Sequence, residues 1–316
     1  MTILRRALTL AAATSFTFLL AASTVSAGPV SSASVRSLAA GACADGSIAA
    51  RGGIAARGGM ADSSGFIREL DTGQVTDPMP KSAIGAAPAD FSVTVPVWFH
   101  VITDGNLGYL SLKDLRAQVR VLNETYGGRE GGANTGFLFE LAGYDYTDNA
   151  KWFQMQGTGI EKDIKKALKV GGADTLNVYT NTAGAYLGWA YLPSITDTNQ
   201  TYLDGIVLDW ASFPHVSDQY VDRYDEGETL THEAGHWLNL EHTFYNGCNK
   251  DGDFVDDTPA EKTPTSGCPV GKDTCPAPGL DPIHNYMDYS YDDCYTEFTA
   301  GQAQRMRDAW LFYRAP

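Results

Sequence analysis

The chain has 316 residues, 43% of them hydrophobic and only 19% charged, which is enough for one large core or two small ones. Its formal net charge of −15 repels phosphate backbones and anionic lipid surfaces, so neither nucleic acid nor a membrane is an expected partner. Beyond the N-terminus no segment is apolar enough to span a bilayer.

In chain order, Arg5 and Arg6 precede an apolar run from Ala7 to about Ala22, and small residues follow through Val25-Ser26-Ala27. That order is a secretory signal peptide, cut after Ala27, and the run is shorter than the ~20 residues a span needs. A secreted, extracellular protein is expected. Residues 28–65 are rich in Ala, Gly and Ser and contain the near-repeats Ala50-Arg51-Gly52-Gly53 and Ala56-Arg57-Gly58-Gly59. Such a stretch buries too little apolar surface to offset its ordering entropy, and reads as a pro-segment.

Order begins at about Phe91. Val93 to Ile102 reads as a strand, Ser111 caps a helix to about Tyr126, and Phe137 to Leu141 is a second strand. Ile160 to Val170 is an amphipathic helix. Thr175–Tyr179, Tyr186–Leu192 and Gly205–Leu208 read as strands, and Gly227 to Leu240 as a helix. Residues 243–298 are rich in Gly, Pro, Asp and Cys, and Thr299 caps a last helix through about Tyr313. The fold class is α/β (α+β): a twisted mixed sheet with helices, an active-site helix, and a loop-rich lower half.

The chemistry is concentrated in His232-Glu233-Ala234-Gly235-His236-Trp237-Leu238-Asn239-Leu240-Glu241-His242. On a helix, His232 and His236 lie one turn apart on one face, where two imidazoles reach one ion. A third imidazole from His242 completes a set that suits zinc and leaves a fourth position for water. Glu233 is placed to take the proton of that water and pass it to a leaving amine. For His242 to return, the chain must leave the helix through a left-handed residue. Asn239 stands there, the non-glycine residue that best tolerates this conformation.

These residues resemble the metzincin zinc endopeptidases, and among them the pappalysin (ulilysin-like) family. The resemblance covers most of the chain after residue 91. It runs through Val97–Ile102, Val121-Leu122-Asn123, Leu176–Thr180, Thr231–Phe244 and Asn285-Tyr286-Met287-Asp288-Tyr289. It implies a methionine turn at Met287 and a tyrosine, Tyr289, that hydrogen-bonds the developing oxyanion. Four cysteines cluster near the C-terminus, and sequence alone allows three pairings of them. The resemblance implies Cys248–Cys275 and Cys268–Cys294. It also implies calcium at Gly252–Pro259, with Asp253, Asp257 and Thr258 as candidate ligands beside a carbonyl such as that of Asp256. Asp293 is expected at the floor of a pocket favouring a basic residue after the cleaved bond, with its neighbour Asp292 free to face solvent. Gly188 and Trp189, within Leu187–Ala190, are expected at the sheet edge that receives substrate as an added strand. Cys43 is a candidate latency residue whose thiolate would fill the open zinc position. His100, His215 and His284 are expected to be structural or exposed.

The expected organisation is a signal peptide over 1–27, a pro-segment over 28–70 and a metalloprotease catalytic domain over 71–316. The chain would act on protein or peptide substrates, as a monomer. Bonds before Arg51, Arg57 or Arg68 are candidates for self-processing. The alternative is an extracellular binding module, stabilised by calcium and disulfides, with a vestigial zinc site. A zinc hydrolase of non-peptide substrates is a weaker third.

Overall fold

The computed structural model describes Glu69, Leu70, Thr72, Met79, Pro80 and residues 82–316 apart from Gly157. The expected signal peptide, the Ala-Arg-Gly-Gly repeats and Cys43 lie outside the described residues. Among the described residues no helix is long and apolar enough to cross a membrane.

One five-stranded sheet organises the molecule, in the order β2-β1-β3-β5-β4. Its strands are β1 (Val93–Thr103), β2 (Phe137–Asp148), β3 (Leu176–Asn181), β4 (Gly188–Trp189) and β5 (Ile206–Asp209). β1 pairs in parallel with β2 and β3, and β3 in parallel with β5. Only β4 runs antiparallel to its neighbour, β5. Every residue of β3 and β5 is buried, as parallel strands covered on both faces must be.

The helices are α1 (Leu112–Thr125), the short α2 (Ala150–Phe153), α3 (Ile160–Leu168), α4 (Glu228–Trp237) and α5 (Ala300–Ala309). α1 starts in a capping box, with Ser111 and Asp114 each satisfying the other's backbone N–H. The main core gathers Val97, Phe99 and Leu208 of the sheet, Leu115 and Leu122 of α1, Leu230 and Trp237 of α4, and Met306 of α5. A second core on the opposite face joins Ile160 and Ile164 of α3 to Tyr179, Trp189 and Val207.

Several boundaries differ from the sequence expectation. β2 runs seven residues past Leu141, with burial that alternates along it. The register shifts between Val97 and Trp98, and a Cβ on Gly143 would stand only 2.3 Å from the Trp98 ring, so the indole lies over this glycine. Polar Asp145 and Asp148 obscured that extension. The strand expected over Tyr186–Leu192 contracts to Gly188–Trp189, because a 3-10 turn precedes it and Pro193 opens another after it. The last helix ends at Ala309 and passes into a π-turn over Trp310–Arg314.

That turn braces the motif helix. Buried Arg314 lies 3.6 Å from the Trp237 ring, donates to the Trp237 carbonyl and pairs with Asp204 at 3.0 Å. Asp204 also accepts from the Trp237 indole at 2.9 Å. Burial works against the Asp204 charge, yet the Arg314 guanidinium and Lys169 hold its carboxyl below its ordinary range.

Candidate metal centre

α4 begins at Gly227, whose φ of 106° needs glycine. Its first turn is fixed by Asp292, whose Oδ2 accepts from the N–H groups of Glu226 (2.9 Å) and Gly227 (3.3 Å). His232 and His236 then follow on one face, both nearly fully buried. His232 Nδ1 lies 2.6 Å from the Tyr286 carbonyl and His236 Nδ1 lies 2.7 Å from the Leu240 carbonyl. A carbonyl oxygen only accepts, so each Nδ1 carries the hydrogen and each Nε2 presents its lone pair to the site.

The helix ends as its sequence requires. Asn239 has φ 79°, the Leu240 N–H returns to the Gly235 carbonyl at 2.9 Å, and Arg305 donates to the Asn239 carbonyl. This turn brings His242 back. Its ring stacks on Phe244 at 4.7 Å, and its Nε2 lies 3.2 Å from that of His236. The His236 and His232 Nε2 atoms are also 3.2 Å apart.

Such crowding of imidazole lone pairs fits a shared cation. Ligands at 2.0–2.1 Å from a tetrahedral zinc stand ~3.3 Å from one another. The donor set therefore matches zinc in chemistry and spacing.

Glycines admit the surrounding groups. A Cβ on Gly235 would stand 2.4 Å from the Met287 sulfur, so the helix accepts the fully buried Met287 only because this residue is glycine. A Cβ on Gly188 would stand 3.1 Å from Glu233 Oε1, which places the buried Glu233 carboxylate against the edge strand β4. The Tyr289 ring meets His242 edge-on at 4.9 Å. Beneath, Asn285 and Gln302 exchange amide hydrogen bonds of 2.8 and 3.0 Å, while Asn285 Oδ1 accepts from the Met287 N–H.

The matching family model, described as pregnancy-associated plasma protein-A, covers residues 180–310. An extracellular metalloprotease of Arthroderma benhamiae is 45% identical over 230 residues, covering 71% of this chain and 74% of the relative. One from Neurospora crassa is 44% identical over 241 residues, 74% of this chain and 80% of the relative. The chain belongs to the pappalysin family of zinc metalloendopeptidases. Among solved structures, a promirolysin variant of Tannerella forsythia matches with a TM-score of 0.60 at 25% identity, covering 73% of this chain and 84% of that one. Mirolysin in complex with a compound matches at 0.59 and 25% identity, over 70% and 92%.

The remaining expected residues divide. Both disulfides implied by the family resemblance are formed, Cys248–Cys275 and Cys268–Cys294. The second also consumes the thiols of a Cys268, His284, Cys294 group that could otherwise have held a metal. His100 is structural, buried between Asp145 (2.7 Å) and Asn177 (3.0 Å), while His215 and His284 are exposed. Gly188 and Trp189 do form the sheet edge, but the Trp189 indole turns into the second core and donates to Glu161. The expected orientations of the paired aspartates are reversed: Asp292 is buried and Asp293 exposed, because the inner position serves the first turn of α4. The acidic loop also splits. Asp257 accepts from Thr299 Oγ1 (2.7 Å) and the Gly301 N–H (2.8 Å), capping α5. Asp253 is buried beside the Thr258 hydroxyl, and its Oδ1 accepts from the Val255 N–H at 3.1 Å.

One residue at the site escaped the sequence reading. Glu69 Oε2 lies 2.6 Å from His242 Nε2, 3.4 Å from that of His236 and 3.5 Å from that of His232. The Tyr289 hydroxyl donates to it at 3.3 Å. Burial works against the Glu69 charge, but the His236 and His242 imidazoles hold its carboxyl well below its ordinary value. No local pattern around Arg68-Glu69-Leu70 marks it.

Proposed function

We propose that this zinc endopeptidase holds its metal through His232, His236 and His242, and cleaves extended peptides laid along β4 with Glu233 as general base. The reading is carried by the convergence of three imidazole Nε2 atoms beside a carboxylate that faces the sheet edge. Zinc, when bound, supplies a Lewis acid that makes water acidic and polarises the scissile carbonyl. Glu233 accepts a proton from the attacking water and delivers it to the leaving amine nitrogen. The Tyr289 hydroxyl donates to the carbonyl oxygen as charge develops there. Gly188 and Trp189 contribute their main chain, so substrate adds as a strand.

We further read the chain as a secreted precursor, with the signal peptide over 1–27 and pro-segment over 28–70. The N-terminal charge and apolar order support this, as do relatives named extracellular. The preference for a basic residue after the cut moves from Asp293 to its inward neighbour Asp292. Calcium at the acidic loop is supported by buried Asp253, whose pKa burial pushes up to about 7, with the Thr258 hydroxyl oxygen beside it.

The test is Glu233→Ala in the mature enzyme. Zinc content and thermal stability are expected to persist while peptide hydrolysis falls by ~10²–10⁴-fold. Undiminished hydrolysis would remove Glu233 from the mechanism. Absence of hydrolysis in the parent enzyme would favour the binding-module reading.

A further inference from the structure

We propose that Glu69 is a fourth protein ligand of the catalytic metal, and that it keeps the precursor latent until the chain is cut between Leu70 and Met79. The inference rests on the zinc assignment of the three histidines.

The distances carry it. Of the six separations among Glu69 Oε2 and the three Nε2 atoms, five are 2.6, 3.2, 3.2, 3.4 and 3.5 Å. They scatter around the ~3.3 Å edge of a tetrahedral zinc site, and a carboxylate oxygen is an accepted ligand there. Glu69 thus stands where catalysis requires water. It also takes the Tyr289 hydroxyl, the group assigned to the substrate carbonyl.

The main chain at Glu69 blocks the second requirement, room for substrate. It bridges Gly188 of β4 in parallel, and Leu70 packs against the cluster that contains Trp189. The segment therefore covers both the metal position and the rim. A side-chain carboxylate, not a peptide carbonyl, faces the metal, so no scissile bond is presented.

The place of release follows from the anchors on either side. From Met79 onward the chain belongs to the body: Met79 and Ala83 pack with Ala309 and Tyr313, and the Gly85 and Ala87 N–H groups bond Asp308. Hydrolysis anywhere between Leu70 and Met79 detaches Glu69 from the catalytic domain. Cuts before Arg51, Arg57 or Arg68 leave it attached. Glu69 would thereby perform the task for which Cys43, outside the described residues, is also a candidate.

The experiment uses the full precursor carrying Glu233→Ala, so that it cannot process itself, loaded with zinc or cobalt(II). Metal content is measured, then the affinity for a peptidyl hydroxamate and the visible absorption of the cobalt form. Adding Glu69→Ala, or the nearly isosteric Glu69→Gln, is expected to tighten hydroxamate binding about a hundredfold, as for a site open one part in a hundred. Each should also alter the cobalt absorption, whereas Cys43→Ser should change neither. Equal hydroxamate affinity with and without Glu69, in a chain that binds one metal ion, overturns the latency role alone. Opening of the site by Cys43→Ser also overturns it. A precursor that binds no metal overturns the zinc assignment beneath it.

Discussion

Gly188→Ala in the mature enzyme tests how Glu233, the proposed general base, is held. The added Cβ would stand 3.0 Å from the Val207 carbonyl oxygen and 3.1 Å from both Cγ and Oε1 of Glu233. Ordinary contact begins at 3.4 Å. The Val207 oxygen is fixed by pairing of β4 with β5, so Glu233 must retreat by a few tenths of an ångström or rotate. A displacement of ~1 Å near the chemistry costs ~10²-fold, so kcat should fall ~10–100-fold. Folding should change little, because the strand entropy that alanine saves, ~0.5–1 kcal/mol, offsets part of the crowding. The assay is kcat and KM on a quenched peptide, with zinc content and Tm alongside. The expected result is a loss in kcat with KM within about threefold, since binding common to the ground and transition states is kept. A rise in KM at constant kcat would mean that the glycine only makes room for substrate. Unchanged kinetics in a folded, zinc-loaded variant would refute the positioning argument.

Met287→Ala should cost ~2–5 kcal/mol in unfolding free energy, read by denaturant titration, because it empties a fully buried site beneath the helix. Asp257→Ala should destabilise by ~1 kcal/mol through the lost bonds at the α5 N-terminus. Asp292→Asn should weaken any preference for a basic residue after the cut in peptide-library profiling, whereas Asp293→Asn should leave it intact; equal effects would undo that assignment. Burial and the neighbouring Asp292 push the Glu228 pKa up to about 10. Folding therefore takes up a proton: the contribution is fully present below the unfolded value of ~4.3 and is lost as pH rises toward 10. Glu228→Gln should match the parent Tm at pH ~5 and exceed it at pH ~9, since the amide needs no proton; parallel Tm profiles would exclude this linkage.

The clustering of the three histidines was legible because its rules are local. Helical spacing joins His232 to His236, and Asn239 announces the turn that returns His242. Caps at Ser111 and Thr299 marked helix starts for the same reason. The short β4 was harder to bound. Burial runs through the Leu187–Ala190 stretch, but only Gly188 and Trp189 pair as a strand, so hydrophobicity overestimated its length. Asp292 and Asp293 show the limit most clearly. Adjacent identical residues offer no sequence cue to which faces inward, and the choice is made by two N–H groups more than sixty positions away.

Glu69 and Cys43 separate chemical plausibility from placement. A cysteine in a leader invites assignment to zinc because thiolate is the stronger ligand. Ligand strength, though, matters only after the chain has brought the donor to the metal. Glu69 arrives with supports on both sides of its carboxylate: a main-chain bridge to Gly188 and a hydrogen bond from Tyr289. Those partners lie 119 and 220 positions along the chain, so no window of sequence contains the arrangement. A ligand that is held in place gains affinity, because preorganisation removes the cost of ordering it. The same reasoning makes the contact reversible. Once the chain is cut beyond Leu70, the carboxylate is no longer tethered to the body of the domain, and water can compete for its position.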